Sequence, residues 1–129
     1  MVWNRQKLLS DHARLGRWSE RRCERFLKAK GFMTLARNYR CQVGELDLVM
    51  VDTDGSIVFV EVRSRARVGP VPPEATITPP KRVHVARAAR YFLAAHKIED
   101  RPLRFDVVTL VLGQSGSPQI QHFPNAFVP

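Results

Sequence analysis

Glu45, Asp47 and Glu61 stand inside two segments that otherwise read as strands buried on both faces. The segments are Gly44-Glu45-Leu46-Asp47-Leu48-Val49-Met50-Val51 and Ile57-Val58-Phe59-Val60-Glu61-Val62-Arg63. Runs this apolar on both faces belong to the interior of a covered sheet. A bare carboxylate in such a place costs several kcal/mol unless a cation or a proton meets it. Acids kept there characteristically hold a metal or do proton chemistry.

The turn between the runs, Asp52-Thr53-Asp54-Gly55-Ser56, predicts how the acids meet. A three-residue loop with Gly55 in the left-handed conformation pairs Asp52 with Ser56. That register sets Asp47 opposite Glu61 and Glu45 opposite Arg63, all four on one face. Opposed Cβ atoms lie about 4.5–5.5 Å apart. Two carboxylates that close repel unless something positive lies between them, such as Mg²⁺ held through oxygens. A two-residue loop at Asp54-Gly55 would instead send Asp47 and Glu61 to opposite faces.

At 129 residues the chain is expected to form one domain, 1–129, large enough for a real core. It shows no apolar run long enough to span a membrane. Residues 1–10 read as a basic N-terminal extension without the apolar stretch of a secretion signal. Cys23 and Cys41 are the only cysteines and have no zinc spacing. Cys23 reads as a core thiol, and the expectation is a reduced, cytoplasmic protein. The 21 Lys and Arg outnumber the 12 Asp and Glu, for a net charge of +9. Such an excess favours a polyanionic partner, nucleic acid being the commonest; the bland alternative is ordinary solubility.

Residues 11–30 predict a helix capped by Ser10 and closed by Gly31. Leu15, Cys23, Phe26 and Leu27 mark its buried stripe, and Arg14, Arg17, Arg21, Arg22, Arg25 and Lys28 populate much of the rest. Glu20 falls within about 60° of Gly16, Cys23 and Leu27 and so points inward. It is either a further oxygen donor to the acid site or a stripe-edge acid pairing with Arg17 or Arg21. Residues 32–39 read as a first strand, antiparallel to the acid-bearing hairpin. Residues 64–77 read as a flexible basic loop with Arg65 and Arg67. Thr78 caps a second helix, entered through Pro79 and Pro80 and running to about residue 97. Its apolar stripe is Val85, Ala89, Phe92, Leu93 and His96, with Lys81, Arg82, His84, Arg87 and Arg90 on its flanks. Neither His84 nor His96 has a second ligand at metal spacing. Residues 104–112 read as a strand whose Asp106 pairs with Arg104, and 118–123 as a short edge strand. The order is α-β-β-β-α-β, a sheet with helices packed against it.

Carboxylates on adjacent strands, a nearby cation and a basic surface suit metal-dependent phosphodiester hydrolysis. Asp47 and Glu61 would bind Mg²⁺ or Mn²⁺, and a cation beside them would orient the nucleophile or stabilise charge on phosphate. Arg65, Arg67, Lys81, Arg82 and Arg87 are the candidate nucleic-acid contacts.

An acid, about a dozen residues of hairpin and then Glu-x-Lys resembles the signature of the PD-(D/E)xK nuclease superfamily, which has the restriction-endonuclease-like fold. The chain resembles one branch in particular, the YraN family of small bacterial proteins, itself similar to archaeal Holliday-junction resolvases. The resemblance rests on Gly16, Glu20, Cys23, Phe26 and Leu27, then Gly31-Phe32, Arg37-Asn38-Tyr39-Arg40, Gly44-Glu45-Leu46-Asp47, Val58-Phe59-Val60-Glu61-Val62-Arg63, Arg65, Lys81 and Arg104-Phe105-Asp106-Val107-Val108. It implies a mixed α/β restriction-endonuclease-like fold, with Asp47 and Glu61 as metal-binding acids and Glu20 as the helix-borne acid. Arg63 falls at the catalytic lysine position. Arginine stays protonated and cannot shuttle a proton, though it can bind phosphate or pair with Glu45. Lys81 would supply an amine if the fold brings it near; otherwise it is a solvated first-turn lysine. The resemblance further implies DNA, branched or otherwise structured, as substrate, and a homodimer to cut a junction symmetrically. Two other readings stay open. One is a nucleic-acid-binding module that keeps the fold without cleaving. The other is a protein-interaction domain using the basic loop.

Overall fold

A computed structural model of the chain describes residues 12–65, 77–113 and 117–128. The extension 1–10, Ser10 as a cap, Arg67, most of the basic loop and most of the 114–117 turn lie outside these residues. The elements are α1 (His12–Ala29), β1 (Met33–Cys41), β2 (Gly44–Val51), β3 (Ile57–Arg65), α2 (Pro79–Ala95), β4 (Leu103–Val111) and β5 (Gln119–Phe123). The strands form one mixed sheet in the order β1-β2-β3-β4-β5. The first three make the expected antiparallel meander. β4 runs parallel to β3, and β5 closes the far edge antiparallel to β4. This is the mixed sheet flanked by helices expected of a restriction-endonuclease-like chain. No helix among the described residues is long and apolar enough to cross a membrane.

Alternation along β3 explains why both helices are needed. Ile57 and Phe59 point into a cluster with Val85, Ala88, Ala89 and Phe92 of α2. Val58 and Val60 point the other way, into a cluster with Cys23 and Leu27 of α1. One helix therefore covers each face, as doubly apolar strands require. At the entrance to α2 the Thr78 hydroxyl accepts from the Lys81 amide at 3.4 Å, with Pro79 and Pro80 in the first turn, where their missing N–H groups cost nothing. Gly44 lets α2 come close: a Cβ there would lie 2.8 Å from the His84 carbonyl oxygen.

Several expectations are corrected. Ser64 and Arg65 are not loop residues but extend β3, paired with Leu110 and Val111. β1 starts at Met33 and reaches Cys41 rather than ending at residue 39. His96 is exposed and caps the end of α2, its Nδ1 2.9 Å from the Phe92 carbonyl. The buried stripe of α2 uses Ala88 in its place.

Candidate functional site

The hairpin turn sets the register of everything around it. Gly55 has φ +88°, its N–H donates to Asp52 O at 2.9 Å, and the Asp52 N–H donates to Ser56 O at 3.0 Å. The three-residue loop thus forms, and β2 and β3 pair from Val51↔Ile57 to Leu48↔Val60. The next step would be Asp47↔Glu61. There the ladder stops, and the Asp47 carboxylate itself takes the Val62 N–H at 2.9 Å. The side chain thus replaces a backbone acceptor at the point where the two strands part.

Side-chain alternation also breaks at this point. Leu46 packs on the α2 side of the sheet, whereas Leu48 packs on the α1 side. Across the pairing, β1 does the same: Ala36 and Tyr39 both face the α2 side, because Asn38 between them adopts φ +48°. Asn38 and Asp47 fall opposite one another in the register that pairs Arg37 with Leu48 and Tyr39 with Leu46. A non-glycine residue in this left-handed region is uncommon, asparagine being among the side chains that tolerate it best.

The break corrects the expected arrangement of Glu45. Instead of facing Arg63, Glu45 is 65% exposed, with Oε2 4.0 Å from Nε of Arg40, its neighbour on β1. With the ladder to β3 open beyond Leu48, only β1 remains beside this end of β2. The four charged groups therefore do not share one face.

Glu61 is the buried centre of the site, only 3% exposed. It hydrogen-bonds the Asp47 carboxyl, and burial first, then the Asp47 charge, holds its own carboxyl well above the usual range. The cations opposing that shift are Lys81 and Arg63. Lys81 Nζ lies 3.9 Å from Glu61 Oε2, so the first turn of α2 does bring an amine to the acids. The Lys81 side chain remains 38% exposed and open to a ligand. Arg63 follows two residues along β3, and its buried Nε has no hydrogen-bond partner among the described residues.

Glu20 reaches the fork from the other helix. With the Asn38 amide nitrogen turned to the acid, Nδ2 lies 2.7 Å from Oε1 and 3.0 Å from Oε2. Its hydrogen-bond partner is thus Asn38, while the Arg17 and Arg40 charges favour its ionised form. Desolvation, then the charges of Asp47 and Glu45, push the Glu20 carboxyl up to about 7. Asp47 consequently influences an acid on each side of the sheet. Among the described residues, no three His, Cys, Asp or Glu side chains gather closely enough to hold a metal ion. The compact acid pair is Asp47 with Glu61.

The remaining basic candidates have different surroundings. Arg82 donates through Nε to Ile77 O at 2.9 Å and lies over the Phe127 ring, which ties it to the packing of α2. Arg87 is exposed. Arg65 is half-buried at the end of β3.

Asp106, expected to pair with Arg104, does so through both oxygens, at 2.9 and 3.0 Å. It also accepts from the Asn125 N–H at 2.8 Å, and His122 Nε2 lies 2.7 Å from its Oδ2. Sequence reasoning missed Glu24, a buried acid gripped by Arg37 Nε at 2.8 and 2.9 Å. Its helical position one turn after Glu20, beside the same apolar stripe, was the available signal.

The sequence model described as "Uncharacterised protein family UPF0102" matches residues 19–110, a span holding Glu20, Asp47, Glu61, Arg63 and Lys81. A UPF0102 protein of Ralstonia nicotianae is 45% identical over 103 residues, covering 76% of this chain and 78% of that protein. One of Roseiflexus castenholzii is 42% identical over 115 residues, covering 88% and 92%. Another, of Geotalea uraniireducens, is 36% identical over 118 residues, covering 92% of each. Matched over most of its length at these identities, the chain belongs to the uncharacterised protein family UPF0102, the YraN family that its motifs resemble.

Proposed function

We propose that this protein binds nucleic acid and cleaves it as a Mg²⁺- or Mn²⁺-dependent endonuclease, with structured or branched DNA as substrate. The observation that carries the reading is the buried contact of Glu61 with Asp47, with the Lys81 ammonium 3.9 Å away. Two carboxylates pressed together in an apolar sheet are costly unless they have a task.

The donor set suits a hard divalent ion. Mg²⁺ binds through one or two carboxylates plus waters and phosphate oxygens rather than in an all-protein cage, and Asp47 and Glu61 supply that number. Their mutual repulsion, which raises Glu61, is what a shared cation relieves. When bound, the ion would lower the pKa of a water and offset charge on the phosphate. Asp47 is fixed for this role by the Val62 N–H. Lys81 places a mobile positive charge beside the acids, suited to a phosphate oxygen. Glu20 has a carboxyl near 7, the range in which a side chain exchanges protons at neutral pH. Arg63 is permanently charged, and its unpartnered Nε–H suits charge stabilisation rather than proton transfer. That residue favours a second reading, binding without cleavage.

The test is to incubate the purified protein with single-stranded, duplex and four-way-junction DNA, with Mg²⁺ or Mn²⁺ and with chelator. Metal-dependent cleavage lost in Asp47→Ala and Glu61→Ala is expected. Cleavage surviving both substitutions would expose a contaminant and refute the nuclease reading. Salt-sensitive binding without cleavage would establish the second reading.

A further inference from the structure

The exposed side of α1 carries a ladder of cations that the acid site does not use. At helical spacing Arg17, Lys28, Arg21 and Arg25 fall within an arc of about 80°, next to the half-buried Glu20 and the buried Glu24. Arg37 projects from β1 to face them. Together Arg21, Arg25, Lys28 and Arg37 line an open groove of about 530 Å³, with Glu24 beneath. Among the described residues Glu24 is the only acid lining it, and it is already engaged by Arg37 at 2.8 Å and Lys28 at 3.8 Å. Among the described residues neither Arg21 nor Arg25 forms an ion pair.

This arrangement costs stability in the free protein. Like charges four apart on a helix, as in Arg17, Arg21 and Arg25, repel one another. The groove continues into a smaller recess lined by Arg17, Arg21, Arg37, Glu20 and Asn38. It therefore leads from the open surface to the α1 side of the fork, where Glu20 meets Asn38.

We propose that the α1–β1 groove is the docking track for a phosphodiester backbone, which Arg21, Arg25, Lys28 and Arg37 hold as it runs toward Glu20. The inference rests on the nucleic-acid reading above and relocates its principal contact from the flank of α2 to α1. Cations on two opposing walls fit a ribbon-like polyanion, whereas a flat bilayer cannot enter a concave groove. From Arg17 to Lys28 the helix spans roughly 16 Å, the axial length of about five phosphates of one strand of B-DNA.

The experiment measures binding of the full chain to fluorescein-labelled single-stranded DNA, duplex DNA and RNA by anisotropy. Chelator is present throughout, so that cleavage plays no part. A triple variant, Arg21→Gln/Arg25→Gln/Lys28→Gln, is compared with Arg90→Gln/Lys97→Gln/Arg101→Gln, which removes equal charge from exposed positions elsewhere. The groove variant is expected to lose at least roughly tenfold in affinity at low salt and to lower the slope of log K against log salt by about two to three. The other variant should lose much less. Thermal melting of the groove variant, unchanged or slightly raised, excludes unfolding as the cause. If wild type binds and the groove variant binds equally well, this inference fails while the nucleic-acid reading stands. If wild type binds none of the three probes, both fall. Groove-dependent binding to phosphatidylglycerol vesicles without nucleic-acid binding would likewise overturn the proposal.

Discussion

Asn38 holds Glu20 with a single amide nitrogen, 2.7 and 3.0 Å from its two oxygens, and does so from a backbone at φ +48°. The left-handed residue breaks the alternation of β1 opposite the place where β2 breaks its own. The same residue therefore opens the fork around Asp47 and orients the acid on α1. Asn38→Ala should destabilise the protein by about 1–3 kcal/mol, combining a left-handed alanine with a lost hydrogen bond to a carboxylate. Asn38→Gly should cost less, since glycine accepts that backbone freely. In both, the Glu20 carboxyl should rise relative to the wild-type protein, because the lost donor favoured the charged form. Urea melts and NMR titration of the Glu20 carboxyl carbon measure the two effects.

The acid pair predicts a trade between stability and function. Asp47→Asn keeps an oxygen for the Val62 N–H and removes one of two opposed charges. It should stabilise the protein at neutral pH by about 0.5–2 kcal/mol while abolishing any metal-dependent activity. Asp47→Ala should instead destabilise by about 1–3 kcal/mol, since the Val62 N–H loses its acceptor. Equal effects of the two substitutions in chemical denaturation would contradict the geometry.

Proton linkage has a definite sign here. Glu20, with an ordinary value of 4.5 raised to about 7, and Glu61, raised well above its own, bind more protons folded than unfolded. Between about pH 4.5 and 7 stability should therefore fall as pH rises, through these two groups. If Mg²⁺ binds the acids as proposed, it would replace protons there and should reverse part of that loss. The melting temperature should rise more on adding millimolar Mg²⁺ at pH 8 than at pH 5, and no differential rise should occur in Glu61→Gln.

Asp106 acts in the opposite sense. Hydrogen bonds from His122, Arg104 and the Asn125 amide outweigh desolvation and hold its carboxyl below the usual range. Its contribution is present above the ordinary value of 3.8 and is lost as pH falls through the folded one. Asp106→Ala leaves the half-buried Arg104 with Asp52 alone and strips the Asn125 N–H of its acceptor, and should cost about 1–3 kcal/mol. Acid titration followed by circular dichroism should show the wild-type transition shifted to higher pH in milder variants such as Asp106→Asn.

Gly44→Ala drives a methyl to 2.8 Å from a backbone oxygen of α2, where no side chain can swing away. Overpacking of this kind costs about 1–3 kcal/mol. The strain should displace the helix that carries Lys81, so thermal melts should show lost stability. In NMR spectra the Lys81 amide should shift although the substitution lies on β2.

The reach of sequence reasoning follows the range of the forces involved. The hairpin register was legible because Thr53-Asp54-Gly55 determines it locally, and the α2 start because Thr78, Pro79 and Pro80 are cap chemistry. The burial of Glu61 was legible from its apolar neighbours. Glu20 was placed inward by helical angle alone, but its partner Asn38 was not, because no local rule marks one strand asparagine as left-handed. The end of the ladder at Leu48↔Val60 was hidden for the same reason, and with it the exposure of Glu45. Glu24 and Arg37, thirteen residues apart, meet only once α1 lies over β1.

The two thiols differ in a way that bears on how the molecule is handled. Cys23 lies wholly buried beneath the acids, and desolvation with the Asp47 and Glu20 charges pushes it up to about 12. Cys41 is half-exposed at the end of β1, its Sγ 3.4 Å from the Gly44 carbonyl. A maleimide dye should therefore attach to Cys41 alone while the chain is folded. That gives a native attachment point beside the close approach of β2 and α2, from which a fluorophore can report movement of the helix bearing Lys81 without any introduced cysteine.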